Sequence, residues 1–143
     1  MLFTKICIAS DHAGYELKEK IKDYLISKNI PVIDLGAYSE LSVDYPDFAK
    51  KVTKRLILKK NDAGILVCGS GTGMAITANK FKGIRAAQCY NKNSTILSRQ
   101  HNNSNIICLG SRMLKYKDAI KYVTYFLNTK FEGGRHQKRI NKI

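Results

Sequence analysis

No CxxC pair occurs in this sequence. The four cysteines, Cys7, Cys68, Cys89 and Cys108, lie far apart. That excludes zinc ribbons and dithiol redox motifs, which need close spacings. No apolar stretch approaches the roughly 20 residues of a membrane span. Met1 to Ala9 is only briefly apolar, Lys5 interrupts it, and Asp11 and His12 follow at once. It therefore lacks the apolar core and cleavage site of a secretory signal. The expected location is the cytosol, with no membrane partner. Repeats, low-complexity runs and a disordered half are also missing. Acidic side chains are scarce: 11 Asp and Glu stand against 25 Lys and Arg, a formal charge of +14. Between Ala63 and Lys117 there is no Asp or Glu at all. A pocket built from that half attracts anions and repels no phosphate.

What is present suits one domain over residues 1–143, large enough for a single three-layer core. Hydrophobic residues make up 44% and charged residues 25%, ordinary for a soluble globular chain. A basic balance favours nucleic acid, a membrane surface or phosphorylated metabolites. Most lysines, however, fall on helix faces between apolar positions, as on an ordinary solvated surface. The aromatics Tyr24, Phe48, Tyr122 and Phe126 sit at core-like helical spacings, whereas nucleic-acid binders display theirs on a recognisable motif. No nucleic-acid partner is expected.

Apolar runs mark strands at Lys5–Ser10, Val32–Leu35, Gly64–Cys68, Ile84–Cys89 and Ile106–Leu109. Helical spacing marks Gly14–Lys28, Pro46 to about Lys60, the stretch after Gly73 to about Lys80, Asn93–Gln100 and Tyr116–Leu127. Pro46 suits a first helical turn. Gly36 to Tyr45 reads as a loop, and a basic tail over about 129–143 closes the chain. Alternating strands and helices predict an α/β fold with a parallel sheet of five strands. The strands are continuous apolar runs, as in a sheet covered on both faces. Ligands of such sheets bind beyond the carboxyl ends of the strands. Those ends are Ser10-Asp11-His12, Leu35-Gly36, Cys68-Gly69-Ser70, Cys89-Tyr90 and Leu109-Gly110-Ser111-Arg112.

The segment Gly64–Gly73 reads GILVCGSGTG. Gly69, Gly71 and Gly73, with Ser70 and Thr72 between them, form a turn from strand to helix whose N–H groups can face an anion. It is not a dinucleotide fingerprint, because Met74 stands where the third glycine belongs and no acidic residue follows about 20 positions on. It is not a Walker A loop, because the Gly-Lys-Ser/Thr ending is missing. Cys68 ends the strand. At a helix N-terminus a thiol meets the positive end of the dipole and a fan of N–H donors, which favour a thiolate able to act as nucleophile or base. Alternatively Cys68 is a buried structural thiol, as Cys7, Cys89 and Cys108 are read to be.

Several segments extend this pattern: Ser10-Asp11-His12-Ala13-Gly14, Asp44-Tyr45-Pro46, CGSGTG, Ala78-Asn79-Lys80, Gly83-Ile84-Arg85-Ala86, Ser98-Arg99-Gln100-His101-Asn102, Leu109-Gly110-Ser111-Arg112 and Glu132-Gly133-Gly134-Arg135-His136. In this order and spacing they resemble the ribose-5-phosphate isomerase B family over nearly the whole chain. The resemblance implies a Rossmann-like α/β/α fold, no metal and no cofactor. It also implies a homodimer or homotetramer whose active sites lie at the subunit interface. The implied substrate is a small phosphorylated sugar: ribose 5-phosphate and ribulose 5-phosphate would interconvert through a cis-enediolate. Allose or galactose 6-phosphate is the alternative, since relatives with those substrates share most of the site.

The resemblance also assigns roles. Cys68 is the base that moves the proton; some relatives carry a glutamate just after the glycine loop instead, where this chain has Met74-Ala75. Ser70, threonine in many relatives, and the N–H groups of Gly69, Gly71, Thr72 and Gly73 face the enediolate. His101, assisted by Asp11, opens the sugar ring. Asn102 contacts sugar hydroxyls, and Tyr45 either does the same or packs. His12, Arg112, Arg135 and Arg139 clamp the phosphate, with the tail reaching across the dimer interface. Arg135 and Arg139 are four apart and share a helical face, while His136 is expected to point elsewhere. The loop from Gly36 to Asp44 is expected to set the room at the sugar's far end.

Overall fold

A computed structural model describes residues 2–143. Their elements alternate as the apolar runs require: β1 (Ile6–Ser10), α1 (Tyr15–Ser27), β2 (Val32–Asp34), α2 (Tyr45–Leu58), β3 (Ala63–Cys68), α3 (Thr72–Ala78), β4 (Ala86–Gln88), α4 (Lys92–Gln100), β5 (Ile106–Gly110), α5 (Tyr116–Asn128) and α6 (Arg135–Ile140). The five strands form one sheet in the order β2-β1-β3-β5-β4. Every neighbouring pair is parallel.

The central strands β1, β3 and β5 are buried along their whole length. Successive side chains point to opposite faces, so each strand feeds two cores. Ile8, Ile65, Val67, Ile107 and Leu109 pack on Leu17, Ile21 and Leu25 of α1 and on Val123 and Phe126 of α5. Cys7, Ala9, Leu66, Ile106 and Cys108 pack on Ala49, Val52 and Leu56 of α2 and on Met74 and Ala78 of α3. The result is the expected three-layer α/β/α fold. No helix among the described residues is long and apolar enough to cross a membrane.

The chain leaves β1 outward to β2, then returns to place β3 on the other side of β1. That reversal opens a crevice between the carboxyl ends of β1 and β3. Two contacts keep it narrow at its base. Gly14 lies on the Val67 carbonyl, which a β-carbon there would strike, so α1 approaches β3 closely. The Gly14 N–H is donated to Asp11 Oδ1 at 3.0 Å.

Strand β4 is shorter than the expected Ile84–Cys89. Ile84 is drawn into a turn, donating its N–H to the Phe81 carbonyl at 3.1 Å, and the Arg85 N–H is taken by Asn105 Oδ1 at 2.9 Å. On the outer side of β4, the Asn79 side chain brackets Ala86. Its Nδ2 donates to the Ala86 carbonyl at 2.9 Å, and its Oδ1 accepts the Ala86 N–H at 2.8 Å. The basic tail is helical in part: Gly133 and Gly134, at φ +68° and +55°, break the chain before α6.

Candidate active site

An open cleft of about 540 Å³ lies over this crevice, and Cys68 is in its floor. Cys68 ends β3, is 4% exposed, and its Sγ accepts the Gly71 N–H at 3.1 Å. Gly71 makes this possible by turning at φ +81°, a conformation glycine adopts without steric cost. The turn is held from beside it: the Ser111 N–H is donated to the Cys68 carbonyl at 2.8 Å and the Arg112 N–H to the Gly69 carbonyl at 3.0 Å. Gln88, at the end of β4, donates to the Ser70 carbonyl at 2.9 Å and to Thr72 Oγ1 at 2.8 Å.

The other three cysteines sit in quite different surroundings. Burial pushes Cys7 up to about 11, with the Asp62 charge adding to it. Burial likewise raises Cys89 and Cys108. They are kept as thiols, as expected of core residues.

Around Cys68 stand the charged and polar groups. Arg112 lays its guanidinium over Gly69, where a β-carbon would come within 2.8 Å of Nη1. Among the described residues no carboxylate pairs with it. His12 holds its Nδ1 3.2 Å from both the N–H and the carbonyl of Val43. That backbone can serve the ring in either protonation state, leaving Nε2 for a ligand. Asp11, 6% exposed, also lines the cleft while holding Gly14. Ser70 is exposed and its Oγ accepts the Thr72 N–H at 3.2 Å, so its own proton remains to be donated. Tyr45 covers the first turn of α3, so close that a β-carbon on Gly73 would lie 2.6 Å from its ring.

The loop after β2, which meets His12 at Val43, is fixed by a buried lysine. Lys18 Nζ, fully buried, donates to both Asp34 carboxylate oxygens at 2.9 Å and to the Ala37 carbonyl at 2.7 Å. Burial raises the Asp34 pKa, but Lys18 and Lys22 more than offset this and hold the carboxyl below its ordinary value.

His101, Asn102, Arg135 and Arg139 are not in this cleft. Helix α4 joins two parallel strands, so it must run back across the sheet, and its end lies at the opposite edge from Cys68. His101 follows that end. Helix α6 docks beside it, with the Glu132 N–H donated to the Gln100 carbonyl at 3.0 Å. The His136 ring stacks on His101 with centroids 4.2 Å apart. Burial, with the nearby His101 and Arg135 charges, lowers the His136 pKa. Asn102 is exposed there, its carbonyl accepting from Arg85 Nε at 3.0 Å. Arg135 and Arg139 are exposed on α6. The residues singled out in the sequence thus fall into two groups, one at each edge of the sheet.

The family model described as ribose/galactose isomerase matches residues 6–143. The chain belongs to the ribose/galactose isomerase family. It is 42% identical over 139 residues to ribose-5-phosphate isomerase B of Escherichia coli, covering 97% of this chain and 93% of that one. The crystal structure of a ribose 5-phosphate isomerase from Thermotoga maritima superposes with a TM-score of 0.95 at 53% identity, covering 97% of this chain and 96% of that one. The Mycoplasma genitalium ribose-5-phosphate isomerase B, solved with bound ribulose 5-phosphate, gives 0.92 at 46% identity, with 96% and 92% covered.

For this isomerase-family chain, the cleft gathers Asp11, His12, Tyr45, Cys68, Gly69, Ser70, Thr72, Gly73 and Arg112, with Gly71 shaping the turn below them. Gln88 escaped the sequence reading, which also gave no role to Ser111 and no partner to His136. Gln88 and Ser111 fix the glycine turn, and Ser111 Oγ also donates to the Ala13 carbonyl at 2.8 Å. His136 points away from the arginine pair, as expected, but onto His101. None of these has a local signal, since their partners lie between 16 and 98 positions away in the chain.

Proposed function

We propose that this chain interconverts ribose 5-phosphate and ribulose 5-phosphate without a metal or cofactor, as one domain that works as a homodimer or a pair of dimers. The observation that carries the reading is Cys68 Sγ, in the cleft floor under the Gly71 N–H at 3.1 Å, beside Arg112 and His12. Phosphate is held by those two side chains, and Arg135 and Arg139 of a second copy close over it. A two-fold assembly brings the far edge of one sheet onto the cleft of the other, because an isologous interface pairs each half-site twice.

With the sugar so held, His101 of the second copy and Asp11 move the protons that open the ring. Asn102 of that copy and Tyr45 contact the hydroxyls. The Cys68 thiolate takes the proton from C2, and the electron pair moves to O1, giving the cis-enediolate. The same thiol returns the proton to C1 while the O2 proton passes to O1, leaving the ketone at C2. A positioned base contributes about 10²–10⁴-fold. Ser70 Oγ and the turn N–H groups meet the charge that develops on oxygen; one such donor is worth about 3–4 kcal/mol. All four cysteines are free, which suits the reducing cytosol.

The test is product formation from ribose 5-phosphate by purified protein in EDTA, beside Cys68→Ala. Ribulose 5-phosphate from the wild type and none from the variant is the expected result. Allose and galactose 6-phosphates are assayed in parallel; turnover of a hexose phosphate alone keeps the chemistry and changes the substrate. Inertness toward all three would end the isomerase reading.

A further inference from the structure

At the far edge, His101, Glu132 and His136 present ligand atoms that all lie within 4.8 Å of one another. Glu132 Oε2 is 3.4 Å from His136 Nε2 and 4.0 Å from His101 Nε2. The three come from two segments, the end of α4 and the stretch from Glu132 into α6, joined by the hydrogen bond from the Glu132 N–H to the Gln100 carbonyl. Among the described residues, no hydrogen bond satisfies any ring nitrogen of either histidine, and Glu132 is their shared polar neighbour. The isomerisation gives His101 a role but leaves Glu132 and His136 unused.

We propose that these three side chains bind a zinc-like divalent cation, and that the bound cation withdraws His101 from the sugar. Two imidazoles and a carboxylate with one open position are a donor set that zinc accepts. Zinc–ligand bonds of about 2.0–2.2 Å place tetrahedral ligands roughly 3.3–3.5 Å apart. The Glu132–His136 pair is already at that spacing, and His101 needs to close on Glu132 by about half an ångström. To aim both lone pairs at one ion the stacked rings must pivot. Metal binding and the stacked arrangement are therefore alternative states of His101. In the single chain the side chains of His101 and Glu132 are 38% and 49% exposed. Arg135 and Arg139 oppose a cation and weaken the site without removing its ligands. Hard magnesium, which prefers oxygen ligands, is rejected. Cation binding stands apart from the isomerase reading; inhibition rests on the role of His101 in it.

Metal-stripped protein is titrated with zinc chloride by calorimetry, and ribose 5-phosphate turnover is followed at the same zinc concentrations. One zinc ion per chain, no magnesium binding, and inhibition reversed by EDTA are expected. Glu132→Gln should weaken zinc binding at least tenfold and shift the inhibition midpoint equally, with turnover in EDTA unchanged. Glu132→Gln/His136→Gln should lose the site; if that pair fails to fold, Glu132→Gln alone decides, since Glu132 is half exposed. Unchanged zinc affinity in Glu132→Gln, or affinity lost in Cys68→Ala instead, overturns the proposal and places the ion on the cleft thiol. Zinc binding that follows the variants as expected, in a protein without turnover, upholds the site while the proposed function falls.

Discussion

At the carboxyl edge of the sheet the reactive groups are fixed by backbone. Cys68 is pinned by the Gly71 and Ser111 N–H groups, the neighbouring Gly69 by the Arg112 N–H, His12 by both polar atoms of Val43, and Asp11 by Gly14. At the amino edge the groups lean on one another. His101 and His136 stack, Glu132 sits beside both, and Arg135 and Arg139 stand in solvent. The difference suits what the proposed function asks of each edge. A base that shuttles a proton between adjacent carbons tolerates little misplacement. Groups that close over a phosphate and open a ring must let the sugar in first, and exposed side chains on a short helix can move.

The sharpest way to break this comparison is at Cys68. Cys68→Ala should lower kcat by about 10²–10⁴-fold, with the melting temperature little changed. Cys108→Ala, in the core, should cost stability and leave turnover of the folded enzyme intact. If both lose turnover equally, Cys68 is one more packing residue.

Mixing variants tests whether the two edges serve one site. Cys68→Ala and His101→Asn should each be nearly inactive alone. Equal mixtures, unfolded and refolded together, should regain about a quarter of wild-type turnover, since half the dimers then hold one intact site of two. No recovery would mean that the two edges do not complete one site between copies.

Lys18→Met probes the rigidity of the carboxyl edge. Removing one partner of a buried ion pair costs about 3–5 kcal/mol; Lys22 stays 2.9 Å from Asp34, so the lower end is expected. The Asp34 pKa is depressed in the folded chain, so its contribution is complete above the unfolded value and fades as pH falls through the folded one. The gap between wild type and variant, followed by denaturant melts, should therefore narrow below about pH 4. The smallest effect belongs to Gln88→Ala, which removes two bonds to the glycine turn. About 1 kcal/mol of stability and a modest rise in KM are expected, and an unchanged KM would mean that the turn holds its shape without Gln88.

Much of this was legible in the sequence. The strands stood out as continuous apolar runs because the sheet is covered on both faces. Cys68 stood out because it ends such a run directly before a glycine turn, where a thiol meets backbone N–H donors, and the cleft residues cluster at strand ends. What the sequence hid is tertiary. That His101 lies across the sheet from Cys68 follows from the alternation of parallel strands and returning helices, but what it meets there does not. Arg85 looked like a strand residue until Asn105, 20 positions on, took its N–H. His136 had no pattern to betray it, since its partner His101 is brought near by the folding back of the tail.

Asn79 carries a last consequence. By offering a donor and an acceptor to Ala86, it plays the part of a neighbouring strand in miniature. An open strand edge is a template on which other chains can grow, and here that template is already occupied at its first residue. Copies of this protein are thereby steered away from fusing their sheets along β4 into fibre-like stacks. Replacing Asn79 with leucine would uncover that edge, and the harm would appear as turbidity on standing before any change in the isolated molecule.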